Sequence, residues 1–399
     1  MTYLENLFNT LYPIGINDFD AVKKNFLDQY GVDIKQEGNF YILKYDMIGA
    51  KWLTEVPRYC RGHILKWDGR IWSQASHPWQ KFFNSHEGHS GVHTEEAFKA
   101  RLDAGDLRFV QKADGTCIQV WHDGEKWHAS TLGMINTGMV QDYDKSFSDL
   151  FWSIFQGNAD EILGDITSTY LFELCTPYNR IVTKYEKNTI FLLGARSNIY
   201  GWYIPLDLLK RVADACGASL PKVHRLADIG VDSLVKAQEW VEAQASDRQY
   251  GEFSEGFVMY DGGTPVAKFK NSNYLALHHV GGGDTKHSKN VLIEAFFAGS
   301  VDDIEKVLND HLTGFLANLR AWYAEKRSAL INEVADISKG SYETQKDYAM
   351  RVMKVSDKRL SSFFFSNKDK VLAGKVESED IARYFKSAWS KFEDDIKGL

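Results

Sequence analysis

The chain has 399 residues, 44% of them hydrophobic and 14% aromatic, enough for two packed domains and too apolar for a disordered polypeptide. A formal charge of −7 excludes a uniformly basic nucleic-acid coat, and no apolar run approaches the roughly 18 residues that a membrane helix needs. The four cysteines lack CxxC spacing and the N-terminus lacks a basic segment followed by an apolar one, so we expect reduced thiols, no signal peptide, no membrane partner and a cytoplasmic protein.

From the N-terminus, Asn17 is placed to cap a helix with Phe19, Val22, Phe26 and Leu27 on one face, and Gly31 to end it. Strands are predicted over 40–44, 63–67 and 70–73, the last two joined by a hairpin turn at Asp68-Gly69. A second hairpin turns at Asp123-Gly124 between strands at 117–121 and 126–130. Further strands are predicted at 170–174, 190–193, 256–260 and 266–269, with Asp261-Gly262-Gly263 turning between the last two. Helices are interposed near 146–155, 206–216 and 234–245. No proline lies beyond Pro265, and Gly281-Gly282-Gly283 is a natural hinge. Ser300 with Asp303 resembles a capping box leading into Ile304, Val307 and Leu308, and Ser378 is placed to cap a final helix with Ile381, Phe385 and Trp389 on one face. The expected fold is therefore α+β over 1–283, antiparallel sheets with flanking helices, followed by an all-α domain over 284–399.

Lys112-Ala113-Asp114-Gly115 is the stretch richest in chemistry. It follows the apolar pair Phe109-Val110 and runs into Thr116–Val120. A lysine ending a strand beside an Asp-Gly turn can act as a covalent nucleophile toward phosphorus, and Gly115 lets backbone approach a nucleotide. Glu173, Glu255-Gly256, then Lys268 and Lys270 follow in order; Arg61 in Cys60-Arg61-Gly62 and Lys81 in Lys81-Phe82-Phe83-Asn84 precede it. Two amines spaced by two on a strand share one face, which suits a polyphosphate; the glutamates suit a metal or a ribose. His86, His89 and His93 with Glu87 are metal-ligating types, but their Gly- and Ser-rich surroundings read as a loop. The tail is nearly neutral, yet 351–370 holds six basic residues against two acidic ones, which fits either a phosphate contact or a solvated helix face. Trp322, Tyr323, Phe363, Phe364 and Phe365 are expected to fill a helical core rather than stack on bases.

This ordered set resembles the covalent nucleotidyltransferases, and within them the phage-type RNA ligase 1 family. The resemblance spans roughly 55–280 and is most specific in Arg61–Leu65 with Lys81–Asn84, in Pro177–Val182, and in Lys268–Tyr274. It implies an ATP-dependent RNA ligase sealing 5′-phosphate and 3′-hydroxyl RNA ends, in tRNA or other RNA repair, with Mg2+ or Mn2+. Lys112 would attack the α-phosphorus of ATP and become lysyl-AMP, its pKa depressed by nearby cationic lysines and partial burial. Lys268 and Lys270 would contact the α-phosphate, Arg61 and Lys81 the outer phosphates, and Glu173 the ribose. Glu255 would help position the metal, with Gly256 allowing close approach, and Tyr274 would serve the later steps on RNA. The helical C-terminal domain would help select tRNA-like substrates. Members of that family carry a lysine in a Ser-Lys-Gly-like turn after the nucleophile hairpin; the matching Ser130-Thr131-Leu132-Gly133 has none. The alternatives are a DNA ligase or capping-type enzyme, disfavoured because the chain turns helical after Tyr274, and a non-catalytic RNA-binding protein on the same scaffold.

Overall fold

In the computed structural model the described residues are 1–46, 49–140, 143–179, 183, 185–244, 255–271, 289–299, 301 and 310–397. The chain divides into two compact units, Met1–Tyr45 with Ala50–Gly281 and Asp46–Gly49 with Gly282–Leu399.

The larger unit is built on three sheets. The first, in the order β1-β2-β3-β4, is a meander of Val32–Glu37, Phe40–Tyr45, Arg61–Trp67 and Trp72–Ser76. Two helices cover it, Tyr3–Leu11 and Phe19–Tyr30, and Leu4, Phe8, Val22 and Phe26 pack with Ile34, Leu43, Leu65 and Trp72. The remaining strands are β5 (Phe83–Asn84), β6 (Leu107–Gln111), β7 (Thr116–His122), β8 (Trp127–Thr131), β9 (Ser168–Cys175), β10 (Thr189–Ser197), β11 (Tyr203–Ile204), β12 (Val223–Arg225), β13 (Gly256–Asp261) and β14 (Thr264–Lys270). They form two five-stranded sheets, β11-β10-β9-β7-β8 and β12-β6-β13-β14-β5. Every pairing is antiparallel except β14 with β5. Val110 of β6, Leu171 of β9, and Val258 and Tyr260 of β13 meet Trp79 and Phe82 in one apolar cluster, so the two five-stranded sheets share a core. Lys112–Gly115 is the link by which the chain leaves the third sheet at β6 and enters the second at β7.

The smaller unit is helical where it is described. Helices Lys289–Ala298, Asp310–Ser338, Gln345–Val352, Ser361–Ser366, Lys368–Leu372, Ser378–Ala388 and Glu393–Lys397 surround a core that includes Phe296, Trp322, Tyr323, Phe363, Phe364 and Phe385. The tail aromatics are thus core residues, apart from Phe365, which is exposed.

Four local readings of the sequence need correction. A helix over Tyr3–Leu11 precedes the expected first one, opened by a capping box in which Thr2 and Glu5 satisfy each other's backbone N–H groups. The next helix is capped by Asp18 rather than Asn17: the Asp18 side chain accepts from Ala21 N–H at 3.0 Å. The strand expected at 70–73 runs from Trp72 to Ser76, because Asp68 Oδ1 accepts from both Arg70 N–H and Ile71 N–H and holds those residues in the turn. Ser378 is the first helical residue, not the cap; Glu377 and Asp380 form the capping box, and a further helix follows. The expectations at Tyr274, Gly281–Gly283, Ser300, Asp303, Ile304, Val307 and Leu308 lie outside the described residues.

Candidate active site

Sheet register assembles the site. β6 pairs with β13 so that Gln111 faces Phe257, and Lys112 N–H donates to Gly256 O at 3.0 Å. β13 pairs with β14 so that Gly256 faces Lys270. These pairings put Lys112, Glu255 and Lys270 side by side although 143 residues separate the first two. Lys112 Nζ donates to Glu255 Oε2 at 2.6 Å, and Lys270 Nζ lies 3.2 Å from Glu255 Oε1. Glu255 keeps 5% of its side-chain exposure and Lys112 a quarter, so the carboxylate is inside and the lysine side chain is only partly exposed. Ala267 and Phe269 turn into the core while Lys268 and Lys270 share the opposite face, as the period of two demands. Lys268 is brought beside Asn84 by the β14–β5 pairing.

The second sheet supplies Glu173, facing Cys117 on β7 and Phe191 on β10 in a strand whose eight residues are all buried. Burial drives its carboxyl up to about 7, with the Lys112 charge opposing and the Glu255 charge adding to the rise. Arg61 also acts on Glu173, and its guanidinium lies 4.9 Å from the centre of the Phe82 ring. Lys81 sits in an aromatic box, its Nζ 5.1 Å from the Tyr45 ring centre, 5.3 Å from Trp52 and 5.2 Å from Phe83. The structure therefore brings Lys112, Glu255 and Lys270 into direct contact. It couples Glu173 and Arg61 to them electrostatically, and it holds Lys81 on the aromatic flank. Tyr274 lies outside the described residues.

The protonation expected for Lys112 is reversed. Burial disfavours its charge, but the Glu255 and Glu173 carboxylates outweigh that and raise its pKa above the ordinary lysine value. The cationic neighbour Lys270 is not what Lys112 meets; Glu255 stands between the two amines and forms an ion pair with each.

Both glycines serve protein contacts first. A Cβ at Gly115 would fall 2.4 Å from Leu174 O, so the turn packs against the end of β9, one residue from Glu173. A Cβ at Gly256 would fall 2.2 Å from Phe269 O, and its φ of +131° is a conformation that other residues rarely adopt. The turn is tied down further by residues that sequence reasoning left unassigned. Asp114 is buried; its Oδ2 accepts from Thr183 N–H at 2.6 Å, and its N–H donates to the Tyr185 hydroxyl at 3.2 Å. Asn179, inside the Pro-Tyr-Asn-Arg stretch, donates to Thr116 Oγ1 at 3.0 Å and to Leu174 O at 2.7 Å. Asn179 thus ties the end of the nucleophile turn to β9, a role its polar side chain could have suggested but its position could not.

Two other candidates gain no support. Among the described residues no group of three His, Cys, Asp or Glu could hold a metal, and Glu87 instead accepts from Asn84 N–H at 2.8 Å. In the 351–370 cluster, Arg351 pairs with Glu333 and Asp336, Arg359 with Asp357 and Asp395, and Lys370 with Asp380, so half of its cations are already neutralised. Among the described residues no helix is long and apolar enough to cross a membrane. The four cysteines are free, three of them buried.

Comparison with known proteins places this site in context. A family model described as RNA ligase matches residues 59–275. An RNA ligase of Rhodothermus phage RM378 is 26% identical over 428 aligned residues, covering 90% of this chain and 94% of the relative. A protein of Autographa californica nuclear polyhedrosis virus, whose name describes a bifunctional polynucleotide kinase/RNA ligase, is 30% identical over 269 residues; the match covers 64% of this chain and 36% of that protein. Among solved structures, an archaeal ATP-dependent RNA ligase superposes with a TM-score of 0.47 at 10% identity, covering 88% of this chain and 89% of that one.

Proposed function

The chain belongs to the RNA ligase family, and on that premise we propose that it is an ATP-dependent RNA ligase that seals 5′-phosphate and 3′-hydroxyl RNA ends. The observation that carries the reading is Lys112 on the crossover between two sheets, its amine 2.6 Å from the buried Glu255 and coupled to Glu173. A nucleotide fits the residues present: the Arg61 guanidinium forms no hydrogen bond or ion pair among the described residues, and Arg58 Nε is buried without a partner, so both arginines keep donors for a phosphate. A divalent metal would be held by Glu255, the buried carboxylate beside Lys112, and would draw charge from the α-phosphate and the leaving group.

The chemistry asks one thing of Lys112 first. Its ammonium must lose a proton before the Nζ lone pair can attack the α-phosphorus. Glu173 supports that step, since at about 7 its carboxyl can take up a proton at neutral pH. The new P–N bond forms as the bond to the pyrophosphate oxygen breaks, and Lys112 carries AMP. Lys270 and Lys268 face the α-phosphate, Arg61 and Lys81 orient the outer phosphates for in-line departure, and Glu173 holds the ribose. AMP then passes to an RNA 5′-phosphate, and an RNA 3′-hydroxyl displaces it, with Tyr274 acting in these later steps. Broken tRNA or another structured RNA is the substrate we propose. The helical unit would contribute to that choice.

The test is labelling with ATP carrying a radioactive α-phosphate, plus magnesium or manganese, on wild type and Lys112→Ala. Acid-stable label on wild type alone is the expected result. Wild type that neither takes label nor carries AMP by intact mass would overturn the reading in favour of an RNA-binding protein.

A further inference from the structure

Arg58 is a cation that the proposed mechanism does not use. It lies on the short helix Val56–Tyr59, three residues before Arg61, and its backbone carbonyl accepts from Lys81 N–H at 2.8 Å. Its guanidinium carbon is 5.8 Å from the centre of the Phe83 ring, the same ring that stands 5.2 Å from Lys81 Nζ and 5.3 Å from the His89 ring. Arg58 Nη2 is 3.2 Å from His89 Nδ1. A guanidinium is always charged and can only donate, so His89 accepts at Nδ1 and carries its own proton on Nε2. The remaining donors are poorly served: Nε is buried with no partner, and Arg58 has no ion pair among the described residues.

The fold satisfies arginines that serve structure. Arg196 is buried, and its Nε and Nη1 donate to Gly201 O at 2.9 Å and Pro78 O at 2.8 Å. Arg359 is clasped by Asp357 and Asp395. Arg58 instead presents a desolvated donor and a charge without an ion pair over the same Phe83 ring that Lys81 faces, an arrangement that costs free energy until an anion arrives. A planar fork held by one histidine and backed by one aromatic ring is suited to bidentate contact with a phosphate.

We infer that Arg58, oriented by His89, forms a further phosphate-binding subsite on the Lys81 side of the active site. The anion site stands on geometry alone; identifying its occupant as a nucleotide polyphosphate or an RNA 5′-phosphate rests on the ligase reading. His89 is a positioning residue here, which gives one member of the histidine-rich loop a task other than metal binding.

The experiment titrates inorganic pyrophosphate into full-length wild type, Arg58→Ala and Arg58→Lys by calorimetry, with the unfolding midpoint of each recorded. Arg58→Ala should weaken pyrophosphate binding about tenfold at an unchanged midpoint, with Arg58→Lys recovering only part because the fork is lost. His89→Ala should weaken binding too, and His89→Gln, which can still accept, should restore most of it. Two further assays identify the occupant. If Arg58→Ala needs about tenfold more ATP for half-maximal lysine labelling yet seals pre-adenylylated RNA normally, the occupant is the nucleotide polyphosphate. If labelling is normal and AMP transfer to 5′-phosphate RNA falls, the occupant is the RNA end. Pyrophosphate binding, labelling and transfer all unchanged in Arg58→Ala overturn the inference. Arg58-dependent pyrophosphate binding by a wild type that never takes label would leave the anion site standing and remove the ligase reading.

Discussion

Replacing Glu173 by Gln should make the protein more stable and less active, and the pH dependence of the gain is the informative part. Burial lifts this carboxyl from 4.5 to about 7 in the fold. A group that binds its proton more tightly when folded adds stability below its unfolded pKa, and that contribution is lost as pH rises through the folded value. Above about pH 7 the fold therefore bears an ionised carboxylate in an apolar strand. That rise, which already includes the opposing Lys112 and Arg61 charges, corresponds to about 3 kcal/mol. The amide keeps its own cost of burial, so the net gain should be about 1–3 kcal/mol near pH 8 and close to zero near pH 5. Urea unfolding at the two pH values measures it, and lysine labelling should fall in parallel. A loss of stability near pH 8, or an equal change at both pH values, would refute the argument.

Removing the carboxylate of Glu255, which accepts from Lys112, lowers the Lys112 pKa. Glu255→Gln should thus speed modification of Lys112 by an amine-acylating reagent near pH 8, read by peptide mass, while abolishing labelling from ATP. Unchanged or slower acylation would mean that Glu255 does not hold the proton on the amine. Gly256→Ala places a Cβ against Phe269 O at an unfavourable φ and should cost at least about 2 kcal/mol in unfolding free energy, with Ala tolerated only if β14 shifts. Arg359→Ala leaves Asp357 and Asp395 with only Lys326 as a cationic partner and should lower the stability of the helical unit by about 1–2 kcal/mol without changing the salt dependence of RNA binding. A shallower salt slope in that variant would restore the 351–370 cluster as an RNA contact.

What could be read from the sequence is what depends on spacing along one strand or across one tight turn. Lys268 and Lys270 on one face follow from the period of two, and the hairpins at Gly69, Gly124 and Gly262 follow from turn chemistry. The ends of elements escaped because neighbouring residues compete for the same task. Asn17 and Asp18 can both cap, and the geometry of Ala21 N–H selects the second. The Lys112 pKa escaped for a different reason. The order of residues reveals that amines converge but not that Glu255 lies between them, since that depends on the β6–β13–β14 register. Arg58 was legible only as an arginine three before another. The lack of a partner for its Nε is a property of the packed state.

The crossover at Lys112–Gly115 has a mechanical consequence. Glu173 belongs to one sheet, Glu255 and the paired lysines to the other, and the nucleophile rides on the strap that joins them. The groups proposed for the sugar and for the α-phosphate are thus mounted on separate jaws. A molecule spanning both would fix the gap between the jaws, as a gauge block sets a calliper. Its arrival should slow hydrogen exchange in β9 and β14 together, though the two strands never pair.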